Sequence, residues 1–312
     1  KYNFRDLDTL MSGPVVRDVS NGFDRFWNSS EAVPAEWLAA TTQAEEFEPV
    51  RRQYARLIDA DMSGPLRSFP RTPRSWNREL SRLPSRMIAG RARFLQDAPE
   101  AREDERTLVR TLFSPDHGPK RELVAATPYL IPLDRGMDLL RDWRRAGVEV
   151  TTIVPTLAAT NHTAAHAHYK KYLHGILKSG AHLYEYRHDP SEDSRALADT
   201  APVRSRFISF HLKALVIDRR QCFIGSLNLD PRALVINTES GLLIDSPILA
   251  EQLLELFDEL MQPENSWEVT LDENNEVLWT SHDGTRRNSP SRSGKQRAVD
   301  FVIRMLPVEG QL

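Results

Sequence analysis

The chain has 312 residues, with 41 basic and 44 acidic side chains and a formal net charge of -3. This balance argues against a general nucleic-acid-binding protein, because such proteins gain affinity by neutralising phosphates with excess positive charge. The single cysteine, Cys222, excludes an internal disulfide, and no apolar run approaches the length of a membrane span. The length allows one large or two modest domains.

The first 42 residues predict a strand over 7–16 and a helix over 19–28, and they resemble the end of a preceding domain. From residue 43 to 110 the pattern is helical but broken by prolines, and arginine replaces lysine completely. We interpret this second region as an arginine-rich helical insert or linker.

The insert combines guanidinium groups with apolar side chains. Such a surface can rest on anionic lipid, since each guanidinium binds phosphate in a forked geometry, whereas the alternative is a solvated helical face. The residues concerned are Arg67, Arg71, Arg74, Arg78, Arg82 and Arg86, near Phe69, Trp76 and Met87.

Residues 111–263 alternate between strand and helix, which predicts an α/β domain with a mixed sheet flanked by helices. Residues 264–312 predict a C-terminal extension with a hairpin around 272–275 and a helix over 298–306. Within the domain, strands are expected over 123–130, 148–154, 181–186, 210–218, 221–224 and 240–244, and helices over 134–146, 164–177 and 247–261.

Phosphate-handling groups concentrate between residues 211 and 239. Alternation along the strand over 210–218 places His211 and Lys213 on one face, where an imidazole and an ammonium can meet one phosphate. Gly225 lets the backbone turn close to an anion after the next strand, with Ser226 and Asn228 as further donors.

These residues resemble the phospholipase D superfamily, whose mark is H-x-K-x4-D followed by G-S-x-N. The first motif falls at His211, Lys213 and Asp218, and the second begins at Gly225. The flanking segments resemble bacterial cardiolipin synthases, in the branch without N-terminal transmembrane helices. These segments lie at 4–8, 13–16, 26–29, 127–129, 135–136, 157–160, 166, 228–232 and 237–239.

Such synthases carry two copies of the motif, and this chain has one. The resemblance implies that residues 1–42 are the remnant of the first phospholipase D-like domain, and that 111–263 form the second. A fragment or a split gene would both account for the missing half-site.

The resemblance implies phosphodiester exchange without metal or other cofactor: one histidine attacks phosphorus, and a second protonates the departing alcohol. His211 is expected to be the proton donor, so the chain alone is expected to be inert unless two copies pair their histidines. The other expected roles are imidazole orientation by Asp218 and Glu239, and binding of phosphate oxygens by Lys213, Ser226 and Asn228.

Asn161 and His166 are expected to line a pocket for the acceptor alcohol. His162 and His166 are four residues apart, a spacing that also suits zinc on one helix face. The metal is disfavoured because no glutamate partner accompanies the pair and the implied mechanism is metal-free.

Three functions follow from the resemblance. The first is a phosphatidyltransferase of cardiolipin synthase type, which forms cardiolipin from phosphatidylglycerol and a second phospholipid. The second is a phospholipase D or nuclease that uses water, and the third is an inactive, truncated lipid-binding module. The expected partners are an anionic phospholipid substrate, a membrane surface contacted peripherally at the bacterial inner membrane or from the cytoplasm, and either a second copy or the missing half-domain, without nucleic acid.

Overall fold

The computed structural model describes residues 3–38, 44–60, 72–99, 106–199 and 205–312. In these ranges ten strands form one sheet and two short strands form another. The strands are β1 Asn3–Arg5, β2 Arg91–Gln96, β3 Glu122–Ala126, β4 Glu149–Pro155, β5 His182–Tyr186, β6 Ile208–Phe210, β7 Ala214–Ile217, β8 Gln221–Gly225, β9 Ser240–Asp245, β10 Ser266–Leu271, β11 Val277–Ser281 and β12 Gly284–Arg286. The helices are α1 Val15–Trp27, α2 Ala35–Leu38, α3 Ala44–Ala60, α4 Pro73–Arg82, α5 Leu108–Leu112, α6 Leu133–Arg145, α7 Thr163–Lys178, α8 Glu192–Ala196, α9 Pro231–Val235, α10 Pro247–Met261 and α11 Gly294–Arg304, with short 3-10 turns at Pro84–Arg86 and Glu309–Gln311.

The large sheet has the order β12-β11-β10-β5-β4-β3-β7-β8-β9-β2. The central strands β3, β4 and β5 are parallel, and every other neighbouring pair is antiparallel. The parallel strands are joined by α6 and α7, as a parallel connection requires. The predicted mixed sheet flanked by helices is therefore confirmed.

Both faces of the sheet are buried, and alternate residues of β3 pack into two different hydrophobic cores. Leu123 and Ala125 belong to the core that also contains residues of α6 and α7, while Val124 and Ala126 belong to the core under α10. This explains why β3 reads as a continuous apolar run, since parallel strands are covered on both faces. The rigid sheet fixes the loops at its edges.

The strand predicted over 7–16 is wrong. The structure has the short strand β1 before this segment, and α1 already begins at Val15. Gly13 adopts a positive φ of 94°, which turns the chain, and Pro14 then supplies a φ of -58° that suits a helix start.

The strand predicted over 210–218 is broken in two. β6 ends at Phe210 and pairs in parallel with β1, whereas β7 begins at Ala214 and joins the large sheet. His211 and Lys213 therefore lie in the connection between the two sheets rather than within one strand.

The large sheet extends beyond residues 111–263 on both sides. β2, in the region predicted as a helical insert, pairs antiparallel with β9. On the other side β10 pairs with β5 and is followed by β11 and β12, which include the hairpin expected around 272–275. The predicted arginines Arg67 and Arg71 lie outside the described residues.

Candidate active site

Five neighbouring strands of the large sheet, β4, β3, β7, β8 and β9, each have one end on the same side of the sheet. We call this side, where strands begin or finish, the site edge. Ala126, the last residue of β3, pairs with Ile153 of β4 and with Ala214, the first residue of β7. Gly225, the last residue of β8, pairs with Gly241 near the start of β9. The motif residues around 211–213, 225–228 and 237–239 are therefore gathered at this edge from separate connections.

The imidazole of His211 is held by a carboxylate from the N-terminal segment. His211 Nδ1 lies 2.9 Å from Asp6 Oδ2, and the His211 backbone N–H donates to the Arg5 carbonyl at 2.9 Å. Burial acts to raise the pKa of Asp6, but the hydrogen bonds from His211 and the Leu7 N–H and the charges of His211 and Lys213 together outweigh it and lower that pKa. Asp6 is thus an anion that orients the ring.

Asp6 was not assigned a role from the sequence. The stretch over 4–8 was among the segments that resemble cardiolipin synthases, and this resemblance could have pointed to Asp6, but it did not indicate what the residue does. The parallel pairing of β1 with β6 carries this stretch to the histidine.

Lys213 reaches the same imidazole. Its Nζ lies 3.1 Å from His211 Nδ1 and 3.0 Å from His211 Nε2, and it donates to the His211 carbonyl oxygen at 2.8 Å. Burial lowers the pKa of Lys213, opposed by the charges of Asp6, Glu239 and Asp230. The structure brings together the two groups of the motif that were expected to meet one phosphate.

Glu239 and Ser226 bind each other instead of a histidine. The Ser226 hydroxyl donates to Glu239 Oε2 and accepts from the Ser240 N–H at 3.0 Å, while Asn237 Nδ2 donates to Glu239 Oε1 at 3.2 Å. Burial raises the pKa of Glu239, although the two hydrogen bonds oppose it. Glu239 therefore does not contact the imidazole that it was expected to orient, and the Ser226 proton is directed at Glu239.

A buried carboxylate, Asp97, fixes the backbone beneath Glu239. Its Oδ2 accepts from the Glu239 N–H at 3.2 Å, and its Oδ1 accepts from the N–H groups of Thr107 and Leu108 at 3.0 and 3.2 Å. The Asp97 N–H also donates to the Glu239 carbonyl at 2.9 Å. Sequence reasoning missed this support, which joins the end of β2 to the start of α5.

Asp218 lies at the other end of β7, away from His211. It occupies the turn into β8 with a φ of 54°, and its carboxylate accepts from the backbone N–H groups of Lys120, Arg121 and Glu122 at 2.7 to 3.1 Å. The expectation that Asp218 orients the imidazole is corrected, because the length of β7 separates the two. It fixes the start of β3.

The remaining predicted residues lie around the ends of β3, β4 and β8. Asn228 Oδ1 is buried and has no hydrogen-bond partner among the described residues, and Asn161 Oδ1 accepts from the Tyr129 hydroxyl at 3.0 Å. His166 Nδ1 lies 2.8 Å from Asp300 Oδ1. His162 Nδ1 instead accepts from the Ala165 N–H at 3.2 Å and caps α7, so the two histidines have different partners.

The described ranges have neither a candidate metal cluster nor a candidate membrane span. They contain no group of three or more His, Cys, Asp or Glu residues arranged to hold a metal ion. None of their helices combines the length and apolar character that a membrane crossing needs.

A mixed sheet with an H-x-K motif and a G-S-x-N loop at one edge defines a phospholipase D-like domain. Residues 117–261 match the family described as "Cardiolipin synthase, PLD-like domain". The chain is therefore similar, over this region, to cardiolipin synthases of the phospholipase D superfamily.

The curated relatives include named synthases. Cardiolipin synthase C of Escherichia coli (strain K12) is 28% identical over 314 residues, which cover 98% of this chain and 66% of that protein. Cardiolipin synthase of Clostridium perfringens (strain SM101 / Type A) is 22% identical, over 82% of this chain and 42% of that protein. The chain thus spans less than two thirds of the length of either relative.

Solved structures are similar over part of the chain. Phosphatidylserine synthase of Haemophilus influenzae Rd KW20 has a TM-score of 0.39 and 18% identity, over 56% of this chain and 39% of that chain. NucT from Helicobacter pylori has a TM-score of 0.42 and 15% identity, over 57% of this chain and 98% of that chain.

Proposed function

We propose that this chain carries the proton-donating half-site of a phosphatidyltransferase of cardiolipin synthase type. The observation that carries the proposal is the arrangement Asp6–His211–Lys213, with a carboxylate 2.9 Å from Nδ1 of the imidazole and an ammonium 3.1 and 3.0 Å from Nδ1 and Nε2. The match of residues 117–261 to the synthase family and the synthases among the relatives support the choice of reaction.

The proposed chemistry divides the work between two histidines. A nucleophilic histidine attacks phosphorus and forms a phosphohistidine, while protonated His211 donates its proton to the leaving alcohol. The neutral His211 then takes a proton from the incoming alcohol as that alcohol attacks the phosphohistidine, which restores both histidines. Asp6 orients the imidazole through Nδ1, and Lys213 stabilises the negative charge that gathers on the phosphate oxygens.

The second histidine is expected from outside this copy of the chain. Either a second copy or another phospholipase D-like domain can supply it at the exposed site edge, where His211 and Asp6 are both partly accessible to solvent. The arrangement of two half-sites across an interface is the simplest way to place two histidines around one phosphate.

The test is product analysis with purified chain and phosphatidylglycerol, with and without phosphatidylethanolamine. Mass spectrometry is expected to detect cardiolipin, and His211→Asn is expected to lower its rate by at least about 100-fold because general acid catalysis is lost. The matched control is His182→Asn, since His182 is exposed and begins β5 at the opposite edge of the sheet.

Each possible outcome of the product analysis supports a different function. Cardiolipin formation that depends on His211 and rises steeply with protein concentration supports a half-site completed by a second copy. Phosphatidic acid as the sole product assigns the chain to hydrolases that use water. Absence of both products at concentrations where the chain is dimeric excludes completion of the site by a second copy, and absence of both when another phospholipase D-like domain is also supplied contradicts the proposal.

We also infer that α4 contacts an anionic membrane surface. Trp76 and Leu80 are 41% and 52% exposed on one face of α4, and Arg74, Arg78 and Arg82 follow the opposite face. No residue of α4 is buried against the rest of the protein. A helix with exposed aromatic and aliphatic side chains and arginines on its polar face suits the boundary between lipid headgroups and acyl chains.

A further inference from the structure

A small cavity opens at the site edge, beside the G-S-x-N loop. Its walls include Pro128, Tyr129, Leu130, Pro155, His166 and Tyr169, which follow β3 and β4 or belong to α7. The backbone around Tyr129 is bonded to the motif loop, because the Leu229 N–H donates to the Tyr129 carbonyl at 3.1 Å and the Ile131 N–H donates to the Leu229 carbonyl at 2.7 Å. The cavity wall is therefore bonded directly to the residue that follows Asn228 of the motif loop.

His166 is a buried histidine in the wall of this cavity, and only one of its two ring nitrogens has a hydrogen-bond partner among the described residues. Its side chain is 1% exposed, Nδ1 lies 2.8 Å from Asp300 Oδ1, and Nε2 has no hydrogen-bond partner among the described residues. A buried nitrogen without a hydrogen-bond partner lowers the stability of the folded chain, so the presence of a histidine at this position calls for an explanation.

The protonation of His166 follows from its partners. Burial lowers its pKa, although Asp300 opposes this effect. Because a carboxylate only accepts hydrogen bonds, the single proton of the neutral ring lies on Nδ1 and points at Asp300. Nε2 therefore presents an unused lone pair, and its ligand must be a hydrogen-bond donor.

The cavity selects the donor by size and by the polarity of its walls. It has room for about one water-sized group. The tyrosine hydroxyls of the wall donate to Asn161 and Glu185, at 3.0 and 3.1 Å, and most of the remaining wall is hydrocarbon, so the cavity offers a ligand more apolar contact than hydrogen bonds. A hydroxyl on a carbon chain satisfies Nε2 with one hydrogen bond, while its carbon contacts the prolines and Leu130.

We propose that the cavity binds a hydroxyl group of the acceptor headgroup, with His166 Nε2 accepting its hydrogen bond and Asp300 acting as a positioning residue. The proposal rests on the proposed phosphatidyltransferase function and specifies the acceptor as a polyol. A glycerol headgroup has two free hydroxyls, so one can be held by His166 while the other meets phosphorus. The C-terminal segment thereby contributes to the site through α11.

The test observes the imidazole itself rather than turnover. The full chain is labelled with 15N-histidine, and His166 is assigned by the loss of its signals in His166→Gln. Dihexanoyl phosphatidylglycerol is titrated below its micelle concentration, and dihexanoyl phosphatidic acid serves as the probe with the same chains and phosphate but no headgroup alcohol. We expect a saturable shift of the His166 Nε2 resonance with phosphatidylglycerol and none with phosphatidic acid.

The role of Asp300 has its own signature. Asp300→Asn is expected to change the distribution of the proton between Nδ1 and Nε2 of His166, which 15N shifts report directly, and to weaken phosphatidylglycerol binding by about tenfold. Glu309→Gln is the matched control, because Glu309 lies 3.7 Å from His168 on the neighbouring turn of α7. It is expected to leave the His166 spectrum and its titration unchanged.

The wild-type titration decides the proposal even if Asp300→Asn fails to fold. No shift with phosphatidylglycerol, or an equal shift with phosphatidic acid, overturns it. The titration is repeated in His211→Asn, where the His166 shift is expected to persist without any turnover. A His166 response in a wild-type chain that forms no product therefore rejects the transferase function alone, whereas product without a His166 response in the wild-type chain rejects the cavity assignment alone.

Discussion

Glu185 carries a pH dependence of stability that is separate from the proposed site chemistry. Its side chain on β5 is fully buried and accepts from the Tyr169 hydroxyl at 3.1 Å, and burial raises its pKa from 4.5 to about 7, with hydrogen bonds opposing the rise. The folded chain keeps a proton that the unfolded chain releases above about pH 4.3. The free energy of unfolding therefore falls as pH rises toward 7, by on the order of 3 kcal/mol in all.

Glu185→Gln is expected to remove this component, because the amide stays neutral at every pH. The melting temperature of the variant, measured relative to wild type, should rise steadily between pH 4.5 and pH 7.5 whatever its value at pH 4.5. Glu268→Gln is the control, since Glu268 lies exposed on the neighbouring strand β10. A difference between Glu185→Gln and wild type that stays constant across this range contradicts the buried, raised pKa.

The residues of the candidate site show which contacts could be predicted from the sequence and which could not. The motif gave His211 and Lys213, which contact each other because they are two residues apart. Asp6, Asp97 and Asp300 act on partners 205, 142 and 134 residues away, and no spacing or periodicity encodes contacts of that range. Asp218 matched the motif, yet its contacts lie at the far end of β7.

At the scale of elements, α4 provides a test of membrane contact. Trp76→Ser with Leu80→Ser is expected to weaken binding to vesicles of phosphatidylglycerol and phosphatidylcholine by at least about tenfold, because each side chain contributes about 1.5–3 kcal/mol when buried. Replacement of Arg74, Arg78 and Arg82 by Gln is expected to cost about fivefold for each arginine and to reduce the salt dependence.

The controls for α4 lie on other exposed helices. Trp27→Ser on α1 matches the aromatic change, and Arg141→Gln with Arg145→Gln on α6 matches the change of charge. Vesicle cosedimentation at two salt concentrations measures all of them. Equal losses in the α4 variants and in the controls would show that α4 is an ordinary solvated helix.

Elements with a strong pattern were predicted well, and weakly patterned ones were not. The helix over 247–261 was predicted with the bounds of α10, and β4 and β5 were found within one residue at each end. β2 was missed because its arginines at 91 and 93 are exposed and fit the arginine-rich insert around them. The break between β6 and β7 was missed because apolar alternation continues through it, and pairing with β1 is a long-range event.

The whole molecule is held together by one sheet that runs from residue 91 to residue 286. A fragment over 110–262 contains the motif but lacks β2, β10, β11 and β12. It therefore loses the buried side chains Trp267, Val269 and Trp279 from the larger core, and it loses Asp300, the partner of buried His166.

We expect the fragment over 110–262 not to unfold cooperatively, whereas a fragment over 84–312 does. Truncation of a single buried Trp costs about 3–5 kcal/mol, and the total stability of a domain is only about 5–15 kcal/mol. The longer fragment loses the pairing of β1 with β6 and the small cluster that α1 forms with β9 through Val15, but it keeps all ten strands of the large sheet. Hydrogen exchange of the β4 and β5 amides, measured with thermal unfolding, compares both fragments with the full chain. Protected amides and a sharp transition in the shorter fragment would place the folding unit within the predicted α/β domain, and their absence would make the C-terminal segment part of that unit.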